Sequence, residues 1–255
     1  MNATNISLSF KRTNFTCGIY TIDIPYHDDD FLLYINSVLV ASHVPGCCDT
    51  HTALWTGELS TSSKVEFRLM QGGGAAGLAV TFTRAAAVAG QSIWTGDTDT
   101  NWFTASNWCS AVPTATTDAL IPAAGPPNMP AIGGGGAVVR NITINPAIAA
   151  GTFNTAVTAA TLTTTGTNGL SVSGNWANNG SYIRNSGTIT FAGSAATTIS
   201  SASSQIFYNL VFNKSNTTNN TSNLQVANLA TFTNGVVDQN GTFEFLASSS
   251  VHRSK

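Results

Sequence analysis

Residues 187–213 contain one short pattern twice: Gly187-Thr188-Ile189-Thr190-Phe191, then Asn209-Leu210-Val211-Phe212-Asn213. In each, apolar side chains alternate with polar ones, the period of a β-strand with one buried face. Similar runs stand at Asn141-Ile142-Thr143-Ile144-Asn145, Leu162-Thr163-Thr164 and Leu229-Ala230-Thr231-Phe232, and successive starts fall about 20 to 26 residues apart. That period belongs to a solenoid, in which each coil buries its apolar face only against its neighbours. Gly, Asn and Ser between the runs, as in Gly174-Asn175-Trp176-Ala177-Asn178-Asn179-Gly180, suit turns and stacked side-chain ladders. Residues 131–255 are therefore expected to form a parallel β-helix.

The alternation begins earlier with a different organisation. Over residues 1–84 it places Phe31, Leu33 and Ile35 on one face, then Val65, Phe67 and Leu69, then Leu78, Val80 and Phe82. Asn36-Ser37 reads as a tight turn into Val38-Leu39-Val40. The glycine-rich stretch 71–77 is expected to close a hairpin between the last two strands. This segment is expected to be an incomplete antiparallel β-sandwich, so the chain as a whole reads as all-β, a partial antiparallel β-sandwich followed by a parallel β-helix. Residues 85–130 form a linker and a Trp-rich cap. The alanines between Arg84 and Gly90 fit a linker rather than a helix, and Trp94, Trp102 and Trp108 suit a plug for the open end of a solenoid core.

Only 9% of the 255 residues are charged, with a net charge of −2, while 42% are hydrophobic. The chain has enough apolar residues for a core, and its scattered Lys and Arg form no basic stripe for nucleic acid. No apolar run approaches a membrane span, so no membrane insertion is expected. Thr, Ser, Asn and Gly keep the surface wet in place of charge, a composition that points to a secreted or cell-surface protein. No secretory leader is recognisable at Met1, and strand-like runs near both ends suggest part of a longer chain.

Against this low charge, Asp28, Asp29 and Asp30 carry a quarter of the twelve acidic residues. Adjacent carboxylates repel one another unless water, hydrogen-bond donors or a cation offset the repulsion, and hard oxygen ligands suit calcium. Close by stand His43, Cys47, Cys48 and His51, with His27 upstream. Thiolate and imidazole at such intervals fit zinc. The competing expectation, which we adopt, is a disulfide from Cys17 to Cys47 or Cys48, with Cys109 taking the other vicinal cysteine or remaining free.

The runs Asp28-Asp29 into Phe31-Leu32-Leu33-Tyr34-Ile35-Asn36, and Val65-Glu66-Phe67-Arg68 through the glycine-rich turn into Ala76-Gly77-Leu78-Ala79-Val80, carry a resemblance. Over about 80 residues the chain resembles the lectin-like domain of anthrax protective antigen, shared with flocculin adhesins. In the adhesin members two adjacent aspartates joined by a cis peptide bind calcium, which coordinates sugar hydroxyls. The resemblance implies Asp28 and Asp29 as that pair, with Gln71, Gly72 and Gly73 in the corresponding loop; Asp30, a further metal candidate from the acidic cluster itself, departs from the family pattern, where many members have a small residue. It implies glycans or a cell-surface polysaccharide as partner. The run Trp94-Thr95-Gly96, Asn101-Trp102, Asn107-Trp108-Cys109 and Val112-Pro113 resembles the cap preceding β-solenoids in surface proteins of gliding bacteria.

The expected function is an extracellular adhesin or carbohydrate-binding module that uses calcium, the alternative being a structural stalk or spacer. An enzyme that degrades polysaccharides on the β-helix ranks below both. Those reactions need clustered carboxylates, and from residue 119 onward the only acids are Asp238 and Glu244. No catalytic residue is assigned.

Overall fold

The computed structural model describes residues 6–253, nearly all of them β-structure, and the sole helical segment among them is the 3-10 turn Ala105–Asn107. The chain forms two compact units. The first comprises Met1–Ala87, Ala124–Pro127 and Ala147–Thr158, and the second holds the remainder. The boundary is thus interleaved: residues from inside the expected cap and β-helix segments belong to the first unit.

The first unit contains β1 (Ile6–Arg12), β2 (Gly18–Asp28), β3 (Asp30–Ile35), β4 (Val38–His43), β5 (His51–Leu59), β6 (Val65–Gln71) and β7 (Gly77–Arg84). One antiparallel sheet runs β1-β6-β3-β4 and the other β5-β2-β7. Ile22 and Ile24 from β2, Phe31, Leu33 and Ile35 from β3, Trp55 and Leu59 from β5, and Val65 and Phe67 from β6 meet in one buried core. The alternation of β3 and β6 puts their apolar residues inward, as the two-residue period requires. The turn at Asn36 and Ser37 forms as expected: both residues have positive φ, and Ile35 pairs with Val38 across it.

The glycine-rich stretch does not close a hairpin. β6 is paired on both sides, by β1 and by β3, so no edge remains for β7. β7 pairs instead with β2 in the opposite sheet, and the intervening glycines carry the chain across one end of the sandwich, where Gly77 pairs with Asp28.

The second unit is a parallel β-solenoid. Its early strands are β8 (Gln91–Ile93), β9 (Asp118–Ile121), β10 (Ala131–Ile132), β11 (Gly136–Val139), β12 (Ile142–Ile144), β13 (Thr161–Thr164), β14 (Gly169–Val172), β15 (Trp176–Asn178) and β16 (Ser181–Ile183). They continue through β17 (Thr188–Gly193), β18 (Thr197–Ser201), β19 (Gln205–Lys214), β20 (Thr218–Asn220), β21 (Leu224–Asn234), β22 (Val237–Gln239), β23 (Phe243–Phe245) and β24 (Ser250–Arg253). Three parallel sheets result, in the orders β10-β13-β16, β11-β14-β17-β19-β21-β23 and β22-β20-β18-β15-β12-β9-β8, with β24 also on β21.

Register gives the true repeat. Gly169 pairs with Thr188, Thr188 with Asn209 and Asn209 with Leu229, steps of 19, 21 and 20 residues. The recurring runs at 187, 209 and 229 thus occupy one sheet. Those at 141 and 162 belong to the other two, so the wider spacing seen in the sequence mixes faces of the coil. Inward positions build a ladder: Phe191, Phe212 and Phe232 stack at centroid separations of 5.8 and 5.2 Å with planes 18° and 16° apart.

Trp94, Trp102 and Trp108 are buried at the β8 end of this stack. Trp108 meets the other two edge to face, and its Nε1 donates to the Trp102 carbonyl at 2.8 Å. Their faces are spent on packing, as in a plug.

Candidate functional site

The aspartate cluster and the histidines occupy the same end of the sandwich, and a local irregularity in β2 places them there. Ile22 and Ile24 face the core, and the pairing of β2 slips between Ile22 and Ile24 against β5 and between Asp23 and Tyr26 against β7. Pro25, which has no N–H for a ladder, lies inside the second slip. The phase of the strand reverses there, so His27 turns inward and is fully buried. β5 is irregular at the same level: Ala53 has positive φ, its N–H donates to Asp23 Oδ1 at 2.7 Å, and His51 is buried opposite Ile24.

Asp28, Asp29 and Asp30 are all half-buried, and the peptide joining Asp28 to Asp29 is cis. Asp28 Oδ2 accepts the Tyr26 hydroxyl at 3.1 Å, which pushes the Tyr26 phenol above its ordinary pKa. Asp29 Oδ2 accepts the Gly72 N–H at 2.8 Å, so the crossing glycine loop grips the second aspartate. Asp30 turns elsewhere: its Oδ1 accepts the Gly46 N–H at 2.7 Å and anchors the loop after β4.

Gln71 and Gly73 are joined by a 2.7 Å hydrogen bond from the Gln71 amide to the Gly73 carbonyl. The other end of that amide, Oε1, is buried with no hydrogen-bond partner among the described residues. A buried carbonyl oxygen left unpaired costs about 1–3 kcal/mol, so an oxygen-seeking cation at this loop would relieve it. Carboxylate and amide oxygens are ligands of calcium's hard class.

The cysteines pair differently from the expectation. Cys47 bonds to Cys48, so neither joins Cys17, which is itself disulfide-bonded; among the described residues no cysteine is free. The loop that Gly46 ties to Asp30 keeps this pair on the aspartate side. Cys47 Sγ lies 3.6 Å from Asp28 Oδ1, a packing contact, since a disulfide sulfur has no proton to donate. With their thiolates consumed, neither cysteine serves as a zinc ligand.

The histidines do converge, which their sequence spacing alone did not establish. His27 comes from β2, His43 from the end of β4 and His51 from the start of β5, and one ring nitrogen of each lies within 4.8 Å of the others. Phe31 and Phe153 enclose them. Burial holds the His51 imidazole below the ordinary histidine pKa, and charge on His27 or His43 lowers it further.

In the solenoid, Asp238 lies on β22 and Glu244 on β23, strands of two different sheets, and Glu244 Oε2 accepts from Gln225 at 2.7 Å. Among the described residues no helix is long and apolar enough to cross a membrane. Comparison with known protein families, with curated proteins and with solved structures finds no match.

Proposed function

We propose that this chain is part of an extracellular adhesin whose sandwich binds carbohydrate through calcium held by Asp28 and Asp29. The observation that carries the reading is the grip of Gly72 on Asp29 beside the buried, unpartnered oxygen of Gln71. Asp28, Asp29 and Gln71 Oε1 would hold the ion, and the bound ion would offer free coordination positions to vicinal sugar hydroxyls. Asp30 supports the site by fixing the loop of Gly46. The disulfides support an oxidising, extracellular setting. A glycan or cell-surface polysaccharide is the partner that this chemistry recognises.

Calorimetric titration with calcium, followed by a glycan array with and without chelator, tests the proposal. One calcium per chain and glycan binding lost in Asp28→Asn/Asp29→Asn are expected. Glycan binding that survives both the chelator and the double substitution would overturn it. A second reading, the spacer, draws on the regular coils and Phe ladder of the solenoid, since a repeat stack extends by adding rungs. It gains if neither calcium nor any glycan binds.

A further inference from the structure

We propose that His27, His43 and His51 form a binding site for one divalent transition-metal ion of zinc's class, separate from the calcium pair. The proton count in the cluster carries the inference. His27 Nδ1 is hydrogen-bonded to the main-chain carbonyl oxygen of Asp29. A carbonyl only accepts, so Nδ1 carries the proton and Nε2 presents its lone pair. That one lone pair faces two ring nitrogens, His51 Nε2 at 2.9 Å and His43 Nδ1 at 3.3 Å. A proton on His51 satisfies the first contact. The second then sets lone pair against lone pair, or a second N–H against an acceptor already taken. A cation between the three rings accepts a lone pair from each and removes the conflict.

The geometry suits such an ion. Tetrahedral zinc with Zn–N of about 2.0–2.1 Å separates its nitrogen ligands by about 3.3 Å. The 3.3 Å separation from His27 to His43 matches that figure, and the 2.9 Å separation to His51 lies a few tenths of an ångström below it. The Asp29 carbonyl behind His27 is the outer partner that metal-bound imidazoles characteristically have, fixing tautomer and ring orientation. Asp49 Oδ2, 3.7 Å from His43 Nδ1, places a carboxylate beside the cluster. Of the three histidines, His51 borders an open surface pocket of about 270 Å³, lined also by Thr50, Phe153 and Asn154. Three imidazoles leave the fourth position of the ion to a ligand from solvent.

The experiment uses the full chain without a histidine tag, stripped with chelator. Zinc uptake is measured by calorimetry and elemental analysis, and cobalt(II) serves as the spectroscopic probe of nitrogen ligation. One zinc per chain is expected, with visible ligand-field bands on cobalt loading. His43→Phe keeps an aromatic ring against Phe153 while removing the ligand, and it should weaken zinc binding by at least about tenfold. His252→Gln and Asp28→Asn should bind zinc as the parent does, which keeps this site distinguishable from the calcium proposal. Absence of uptake by a parent chain that circular dichroism shows to be folded would overturn the inference. So would uptake that His43→Phe retains in full.

Discussion

His27 Nδ1 and the Asp29 carbonyl oxygen are hydrogen-bonded, so the imidazole cluster inside the sandwich and the aspartate pair at its end share a main-chain atom. Removing the imidazole leaves that carbonyl without its donor and loosens the segment bearing both carboxylates. His27→Phe should therefore destabilise the first unit by about 1–3 kcal/mol and weaken calcium binding several-fold. His43→Phe, which preserves the bond, should leave calcium affinity unchanged. Parallel calcium titrations check the pair; parental affinity in both variants would show that the bond does not support the aspartates.

In the solenoid, Phe212 stacks between Phe191 and Phe232 on adjacent coils, and only 2% of it is exposed. Phe212→Ala should cost about 3–5 kcal/mol through lost burial and the cavity left behind. Phe212→Leu should cost less. Denaturant unfolding followed by circular dichroism reads the difference, and a loss below about 1 kcal/mol for Phe212→Ala would mean that the coils carry their stability elsewhere.

Asp118 and Arg140 form a two-pronged ion pair, Nε to Oδ1 at 2.6 Å and Nη2 to Oδ2 at 2.9 Å, and Asn141 Nδ2 adds a bond at 2.8 Å. Burial by itself raises the Asp118 pKa, but the hydrogen bonds and charge of Arg140 together with Asn141 outweigh it, and the net shift is downward. The folded carboxyl thus holds its proton less tightly than the unfolded one. Its stabilisation is complete above the ordinary aspartate range, near about pH 4, and is lost as pH falls through the depressed folded value. Arg140 is partly exposed, so screening limits the effect to about 1 kcal/mol. Asp118→Asn should flatten that part of the acid-stability profile; an unchanged profile would exclude Asp118 as a contributor.

Gly125 has a φ of +107°, and a Cβ there would press into the backbone of Glu58. The positive φ alone costs an L-residue about 1–2 kcal/mol, and the collision adds to it. Gly125→Ala should therefore lower the thermal midpoint of the first unit, as read by scanning calorimetry. A midpoint equal to that of the parent would show that residues 124–127 yield freely.

The parts of the fold legible in the sequence are those set by near neighbours along the chain. Alternation at Phe31, Leu33 and Ile35 named a buried strand face, Asn36-Ser37 named a turn, and the recurrence of Gly187, Asn209 and Leu229 named the coil. The site was legible in part. The aspartates stood out by charge, but that Asp30 serves the Gly46 loop while Asp29 receives Gly72 depends on two loops remote in sequence. The histidines were visible only as company for Cys47 and Cys48, and the bond between those cysteines left the three rings to one another.

By itself, the sequence determined the all-β class, the change from sandwich to solenoid and the acidic pair, because side-chain period and local charge act over a few residues. Tertiary structure decided which strand edge was free, and so sent β7 across to β2 rather than back along β6. It also decided the inward turn of His27 beyond the slip near Pro25 and its meeting with His43 and His51. Those outcomes depend on competition among distant segments for the same edges and the same buried space, which no short window of sequence contains.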